Sequence, residues 1–357
     1  MTFTIIRADN EWRYDPVDGA WSLVARNRRT LPPLTVRRTS EEEALRHGAP
    51  CPFCDLPALP KATPEAGSRK QSDTESTDTE EVVPAPYVHR ALDQLDRGAW
   101  QMVAIPSPTP LCFVEHQAPP QSPFVSEGAL GAHELLLPLG PKAHHMTLPR
   151  WDDDGISGLF TLLSRRCADL REDQRLQSIT MSCLPPAWSR LGHFHASILA
   201  TPFPGRASQN ESLCPVCEDV KAAQATGRVL TENEDYIAYI PYAPRHTLHV
   251  RIVAAQHGGS ETFASMEQLE SNAASKSVAE LVLKSSRALD ALVPGLPLQL
   301  NMPAIPLSTE SHGAHLLLEL TSPIQNDAML AEGLGTRIIS LPPEDLVQEL
   351  KAVVDAG

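Results

Sequence analysis

The stretch "GHFHASILATP", residues 192–202, sets two imidazoles, His193 and His195, two positions apart and directly ahead of an apolar run. In a β-strand successive side chains alternate faces, so His193, His195 and Ser197 would share one face. The run Ile198-Leu199-Ala200, closed by Thr201-Pro202, has the composition of a strand bounded by a turn. Two imidazoles on one face fit a metal ligand beside a reactive base or nucleophile. They also fit two histidines with no chemical role. A counterpart elsewhere in the chain decides how much weight the pattern carries.

Working outward, the motifs recur in the same order. "CPFC" stands at 51–54 and "CPVC" at 214–217. Each is followed by an apolar stretch with histidines, "HELLLPLGPKAHH" (133–145) and "HTLHVRIVAAQH" (246–257). Next comes a helical period in each case. In 156–170 it places Ile156, Leu159, Phe160, Leu163, Cys167 and Leu170 on one face; in 276–293 it places Val278, Leu281, Val282, Leu289 and Leu292. Short strand patterns follow, "SITMSC" (178–183) and "LQLNM" (298–302). The first series ends in His193 and His195, the second in "HLLLEL" with His315. This order predicts an α+β protein of two duplicated halves, 1–205 and 206–357, each an antiparallel sheet with helices against one face.

A chain of 357 residues with 42% hydrophobic content is long enough for two such halves. Its formal charge of −14 argues against broad nucleic-acid binding, because phosphates are repelled by an acidic surface. No apolar run approaches the length of a membrane span. The start "MTFTIIRADNEW" has neither a basic opening nor a long apolar core, so no signal peptide is expected and the expected location is cytoplasmic. There the seven cysteines are not expected to form structural disulfides. Residues 60–86, "PKATPEAGSRKQSDTESTDTEEVVPAP", contain almost nothing to bury and are expected to form a disordered acidic insert.

A single Cys-x-x-Cys can be a redox dithiol, half of a zinc site, or two unrelated cysteines. A redox pair usually opens a helix in a βαβ pattern, and neither pair here has that context. Tetrahedral zinc takes Cys₂His₂ readily. Cys51, Cys54, His144 and His193 can supply one set, and Cys214, Cys217, His257 and His315 a second. His145 competes with His144, and His312 with His315. Both sets would be structural zinc sites, two per chain. Aligning the halves puts Leu317 where the first half has His195, and Glu319 where it has Ser197. Zinc therefore accounts for His193 and leaves His195 free for another task.

"WRYDPVDGAWSLVARNRR" (12–29), "CPFC", "HELLLPLGPKAHHMTLP", "GHFHASILATP" and "CPVC", in that order, resemble galactose-1-phosphate uridylyltransferase and its nucleotide-phosphorylase relatives in the histidine-triad (HIT) superfamily. The resemblance runs over nearly the whole chain and implies duplicated HIT-like halves. It implies zinc ligands at Cys51, Cys54, His144 and His193, the second set named above, and a nucleophile at His195 that takes up a nucleotidyl group from an α-phosphate. It places Arg28 near the nucleotide phosphates. It implies a nucleotide or nucleotide-sugar substrate and a possible homodimer. The chain departs from the family at Phe194, which replaces a proline, and at Ser197, which replaces a glutamine that holds phosphate oxygens. "CLPPAWSRLG" (183–192) replaces the Asn- and Gly-rich approach, and Leu31 replaces a second arginine. The phosphate clamp is then either rebuilt with Ser197, Arg190 or Arg206, or lost. The implied activity is a nucleotidyltransferase or nucleotide-sugar phosphorylase. A HIT-type hydrolase and a non-catalytic nucleotide-binding descendant are the alternatives.

Overall fold

A computed structural model describes residues 11–24, 51, 53–54, 91–108, 110–116, 129–186, 189, 192–204, 214–256, 266–307, 315–322, 333 and 335–354. Arg28, Arg190, Arg206, His257 and the acidic segment 60–86 lie outside these residues.

The main body is one ten-stranded sheet, antiparallel throughout. Its first-half strands are β3 (Asp93–Arg97), β4 (Trp100–Pro106), β5 (Ala132–Pro138), β6 (Ser178–Cys183) and β7 (Ala196–Thr201). Its second-half strands are β8 (Val229–Glu232), β9 (Tyr236–Tyr239), β10 (His249–Ala254), β11 (Gln299–Pro306) and β12 (Leu317–Thr321). The spatial order is β3-β4-β5-β7-β6-β11-β12-β10-β9-β8. Read inward from either edge, the order is the same. The expected α+β class with antiparallel strands is present, but the two halves share one sheet through the β6–β11 pair instead of forming a sheet each.

Helix α1 (Asp153–Leu170) connects β5 to β6, and α3 (Asn272–Leu292) connects β10 to β11. Both start a few residues earlier than the apolar period alone suggests, because a side chain caps each. Asp152 accepts from the Gly155 N–H at 2.8 Å and also from the Trp100 indole at 2.7 Å. Ser271 accepts from the Ala274 N–H at 3.2 Å. The apolar faces of α1 and α3 bury Ile156, Leu159, Phe160, Leu163, Val278, Leu281, Val282 and Leu289 against one side of the sheet. Alternate strand residues, among them Met102, Leu136, Met181, Ala196, Ile198, Ile252 and Leu318, point into the same core. Gly155 lets the first turn of α1 lie against the stacked Trp100 and Trp151, where a Cβ would stand 2.3 Å from the Trp151 ring.

The other side of the sheet differs between the halves. In the first half Phe53 sits on Val103, Ile105, Leu135 and Leu137. In the second half, helix α2 (Pro215–Ala225) lays Val220 and Ala223 on Ile237, Tyr239, Val253 and Leu317. A separate three-stranded sheet, β1 (Glu11–Asp15), β2 (Ala20–Val24) and β13 (Arg337–Ile339), joins that side. A buried ion network ties it down. The Arg251 guanidinium meets Asp15 at 2.6 Å, Asp219 at 3.1 Å and Glu319 at 3.2 Å. Asp18 pairs with Arg245 at 2.8 Å and Arg337 at 2.7 Å, and Arg245 reaches Glu319 at 3.2 Å. With Arg228 at 3.9 Å from Asp219, four cations face four carboxylates, so the network is neutral as a whole. Burial would lower the Arg251 pKa, but Tyr239, Asp15 and Glu319 hold it well above its ordinary value.

Neutrality makes the network sensitive to single deletions. Arg251→Met leaves Asp15 and Glu319 buried with less positive charge, and a broken buried pair costs about 3–5 kcal/mol. Urea unfolding should show a loss of that order. A change within about 1 kcal/mol, the range of surface ion pairs, would show that the network is not what holds β1–β2 to the body.

Candidate metal centres and active site

The first cluster is assembled from three places in the chain. The Cys51–Cys54 turn closes with the Cys54 N–H donating to the Cys51 carbonyl at 3.2 Å. It is docked by the Gly140 N–H, which donates to the Phe53 carbonyl at 3.1 Å. His144 and His193 form an isolated antiparallel bridge, flanked by Phe194 N–H to Ala143 O at 3.1 Å and His145 N–H to Gly192 O at 2.9 Å. Cys51, Cys54, His144 and His193 thereby bring their ligand atoms within 4.8 Å of one another. The His193 Nε2–H donates to the Pro138 carbonyl at 2.7 Å, leaving Nδ1 unprotonated toward the two sulfurs, each at 3.6 Å. A tetrahedral zinc with ordinary Zn–S and Zn–N bonds spaces S and N about 3.6 Å apart. A carbonyl on the outer nitrogen is the usual way to fix the tautomer of a metal-binding histidine. The buried His144 Nδ1 has no hydrogen-bond partner among the described residues.

The second cluster gathers Cys214, Cys217 and His315 within the same limit, with Cys217 Sγ at 3.2 Å from His315 Nε2. Cys214 is the residue before α2, and Pro215 opens that helix. Both clusters can hold a metal ion. Burial, and then the neighbouring Cys214, push the Cys217 thiol up to about 11.

Regular strand β7 begins at Ala196, so His193 and His195 precede it, as His315 precedes β12. The alternation nonetheless holds across the boundary. Phe194 packs on Trp151, and Ala196, Ile198 and Ala200 enter the helix-side core. His195, Ser197 and Leu199 therefore take the opposite side, where they are half-buried. The His195 Nδ1–H donates to the His193 carbonyl at 2.9 Å, which leaves Nε2 with its lone pair. Burial holds the His195 pKa below its ordinary value, against this hydrogen bond.

The structure adds residues that the sequence pattern did not single out. Ser197 is directly opposite Ser182 on β6, which is opposite Asn301 on β11, which is opposite Glu319 on β12. The Ser182 hydroxyl donates to Asn301 Oδ1 at 2.8 Å. His133, at the start of β5, lies 2.7 Å from the Ser197 hydroxyl through Nε2. Its signal was present in the repeat, since His133 and His249 occupy the same place in β5 and β10. In the second half, the counterpart of this surface is filled by Glu319 and Arg251, both buried.

No family model and no curated protein matches the chain. Solved structures do share its architecture. An ADP-glucose phosphorylase from Arabidopsis thaliana, with bound ADP-glucose, is 15% identical with a TM-score of 0.66, over 96% of this chain and 99% of that one. A galactose-1-phosphate-uridylyltransferase-like protein from the same plant is 15% identical with a TM-score of 0.62 over the same shares. The chain has the uridylyltransferase fold. A uridylyltransferase structure itself is 15% identical with a TM-score of 0.57, over 72% of this chain and 88% of that one. Among the described residues of this uridylyltransferase-like body, no helix is long and apolar enough to cross a membrane.

Gly192 flanks the His144–His193 bridge. Its φ of +60° suits glycine, and a Cβ there would stand 3.2 Å from the His145 ring and 3.7 Å from that of His144. Gly192→Ala should cost about 1–2 kcal/mol from the left-handed conformation alone. Chemical denaturation measures this, and an unchanged midpoint would show that the bridge tolerates a side chain.

Proposed function

We propose that the protein is a nucleotidyltransferase or nucleotide-sugar phosphorylase of the uridylyltransferase type, working through a covalent nucleotidyl-His195 intermediate. The observation that carries this reading is the fixed tautomer of His195. Its Nδ1–H is spent on the His193 carbonyl, so Nε2 presents a lone pair on the half-buried side of the sheet. Imidazole is a competent nucleophile at phosphorus when one nitrogen is free and the other is held. The bound ADP-glucose of the phosphorylase with the same fold supports a nucleotide sugar as substrate.

The reaction runs in two displacements. Nε2 of His195 attacks the α-phosphorus of a nucleotide sugar. A P–N bond forms, the α-phosphorus bond to the bridging oxygen breaks, and the sugar 1-phosphate leaves with that oxygen. Phosphate or a second sugar phosphate then attacks the same phosphorus, the P–N bond breaks, and Nε2 regains its lone pair. Ser197, with Arg28 and Arg190 from outside the described residues, is assigned to the phosphate oxygens.

Zinc fits the donor set of the first cluster, for the tautomer and spacing given above, and the thiol–imidazole set of the second, with His257 completing it. Held by four protein ligands, the metal is closed to substrate and supplies rigidity, not Lewis-acid chemistry. The first half, 1–205, carries the chemistry. The second, 206–357, is structural, because Leu317 has no nucleophilic atom and Glu319 is committed to Arg251 and Arg245. A cytoplasmic homodimer without nucleic-acid or membrane partners completes the reading.

Incubation with ADP-glucose or UDP-glucose followed by intact mass spectrometry tests this. The wild type should gain one nucleotidyl mass, and His195→Ala none, with both proteins holding about two zinc ions per chain. An adduct retained in His195→Ala would place the nucleophile elsewhere. Absence of zinc from the wild type would remove the structural role given to the clusters.

A further inference from the structure

We propose that His133 is a positioning residue that fixes the Ser197 hydroxyl as a hydrogen-bond donor to a phosphoryl oxygen beside His195. This rests on the functional reading above and gives a role to a residue to which neither the motif order nor the metal ligand sets assign one.

Hydrogen bonding decides the tautomer of His133. The backbone N–H of Leu111 donates to His133 Nδ1 at 3.1 Å, so that nitrogen carries no proton. The proton therefore sits on Nε2, which donates to Ser197 Oγ at 2.7 Å. Burial, and then the nearby His195, hold the His133 pKa below its ordinary value, which keeps the ring neutral. Ser197 Oγ is thus already supplied with a donor. Its own O–H is left to donate, and no described residue accepts it. A hydroxyl free to rotate would present lone pairs and proton alike; this one presents its proton. With one lone pair taken by His133, the hydroxyl has its proton to give, and a donor next to an imidazole nucleophile suits an anionic oxygen.

The second half shows that this is a property of the fold. The Arg245 N–H donates to His249 Nδ1 at 3.1 Å, and His249 Nε2 lies 3.7 Å from Glu319. There the strand residue facing the imidazole is a carboxylate already bound by two arginines, so no outward donor results. Only the first half ends the arrangement in a hydroxyl.

The test compares single-turnover labelling of His195 by ADP-glucose, per folded molecule, in wild type, His133→Leu, His133→Gln, Ser197→Ala and the double variant His133→Leu/Ser197→Ala. His133→Leu and Ser197→Ala should each slow labelling about 10- to 100-fold, the worth of a hydrogen bond to a charged group. The double variant should be no slower than the slower single one, because the two residues act as a unit. His133→Gln, which keeps an N–H at the reach of Nε2, should recover most of the rate. Wild-type labelling in His133→Leu, or multiplicative losses in the double variant, would overturn the proposal. If the wild type is never labelled, the transfer reading fails, and ADP affinity across the same variants decides the role of His133 by the same pattern. ¹⁵N NMR of wild-type imidazoles requires no variant to fold. It should show His133 neutral and protonated on Nε2, and a proton on Nδ1 would overturn the proposal.

Discussion

Both ring nitrogens and the carbonyl of His193 are committed, and the site depends on how. Its ring nitrogens divide between the Pro138 carbonyl and the two sulfurs of the Cys51–Cys54 turn. Its carbonyl holds His195 Nδ1, and it stands opposite His144 in a bridge whose hydrogen bonds come from Phe194 and His145. One residue therefore joins the cysteine turn, the end of β5 and the tautomer of His195. In the proposed function, a metal held by all four residues of this cluster would restrain the backbone that orients His195. The proposed function answers the question raised by two imidazoles with one residue between them by making the first a structural anchor whose carbonyl prepares the second.

The same strand order appears from either edge of the sheet, with different surroundings. Both halves present a cysteine pair, a histidine just before the inner strand, and a histidine at the start of the preceding strand held by a backbone N–H. Beyond those of the first half the surface carries Ser197 and Ser182, continued by Asn301 of β11, all half-buried and neutral. In the second half the corresponding surface carries Glu319 and Arg251 and is covered by α2 and the β1–β2–β13 sheet. A buried guanidinium requires carboxylates around it, and those carboxylates come from β1, α2 and β12. Once that network fills the surface, a nucleotide phosphate has neither room nor favourable charge there.

Much of this was legible in the residues. The helices announced themselves through apolar period, whereas their earlier starts are set by the caps at Asp152 and Ser271, which that period does not show. The cysteine pairs and the histidines at 144, 193 and 315 pointed to two clusters, and the structure gathers them. The fusion of both halves into one sheet was not legible, because the β6–β11 pairing joins residues more than a hundred positions apart and no local pattern encodes it. The three-stranded sheet escaped for the same reason, since β13 pairs with β2 across almost the whole chain. His133 was hidden in plain view: only the register of β5 against β7 brings it to Ser197. The strand expected to carry His193 and His195 starts at Ala196, because the backbone at 193 is drawn into the bridge with His144.

The central claim is that the first cluster is coupled to the nucleophile through His193, whereas the second serves folding alone. Labelling of His195 per folded molecule in Cys54→Ser and Cys217→Ser variants, after removal of aggregates, tests it most directly. The account predicts that Cys54→Ser loses labelling and that Cys217→Ser melts at a lower temperature yet labels as the wild type does. Equal labelling in both variants, or loss of labelling in a fully folded Cys217→Ser protein, would contradict it.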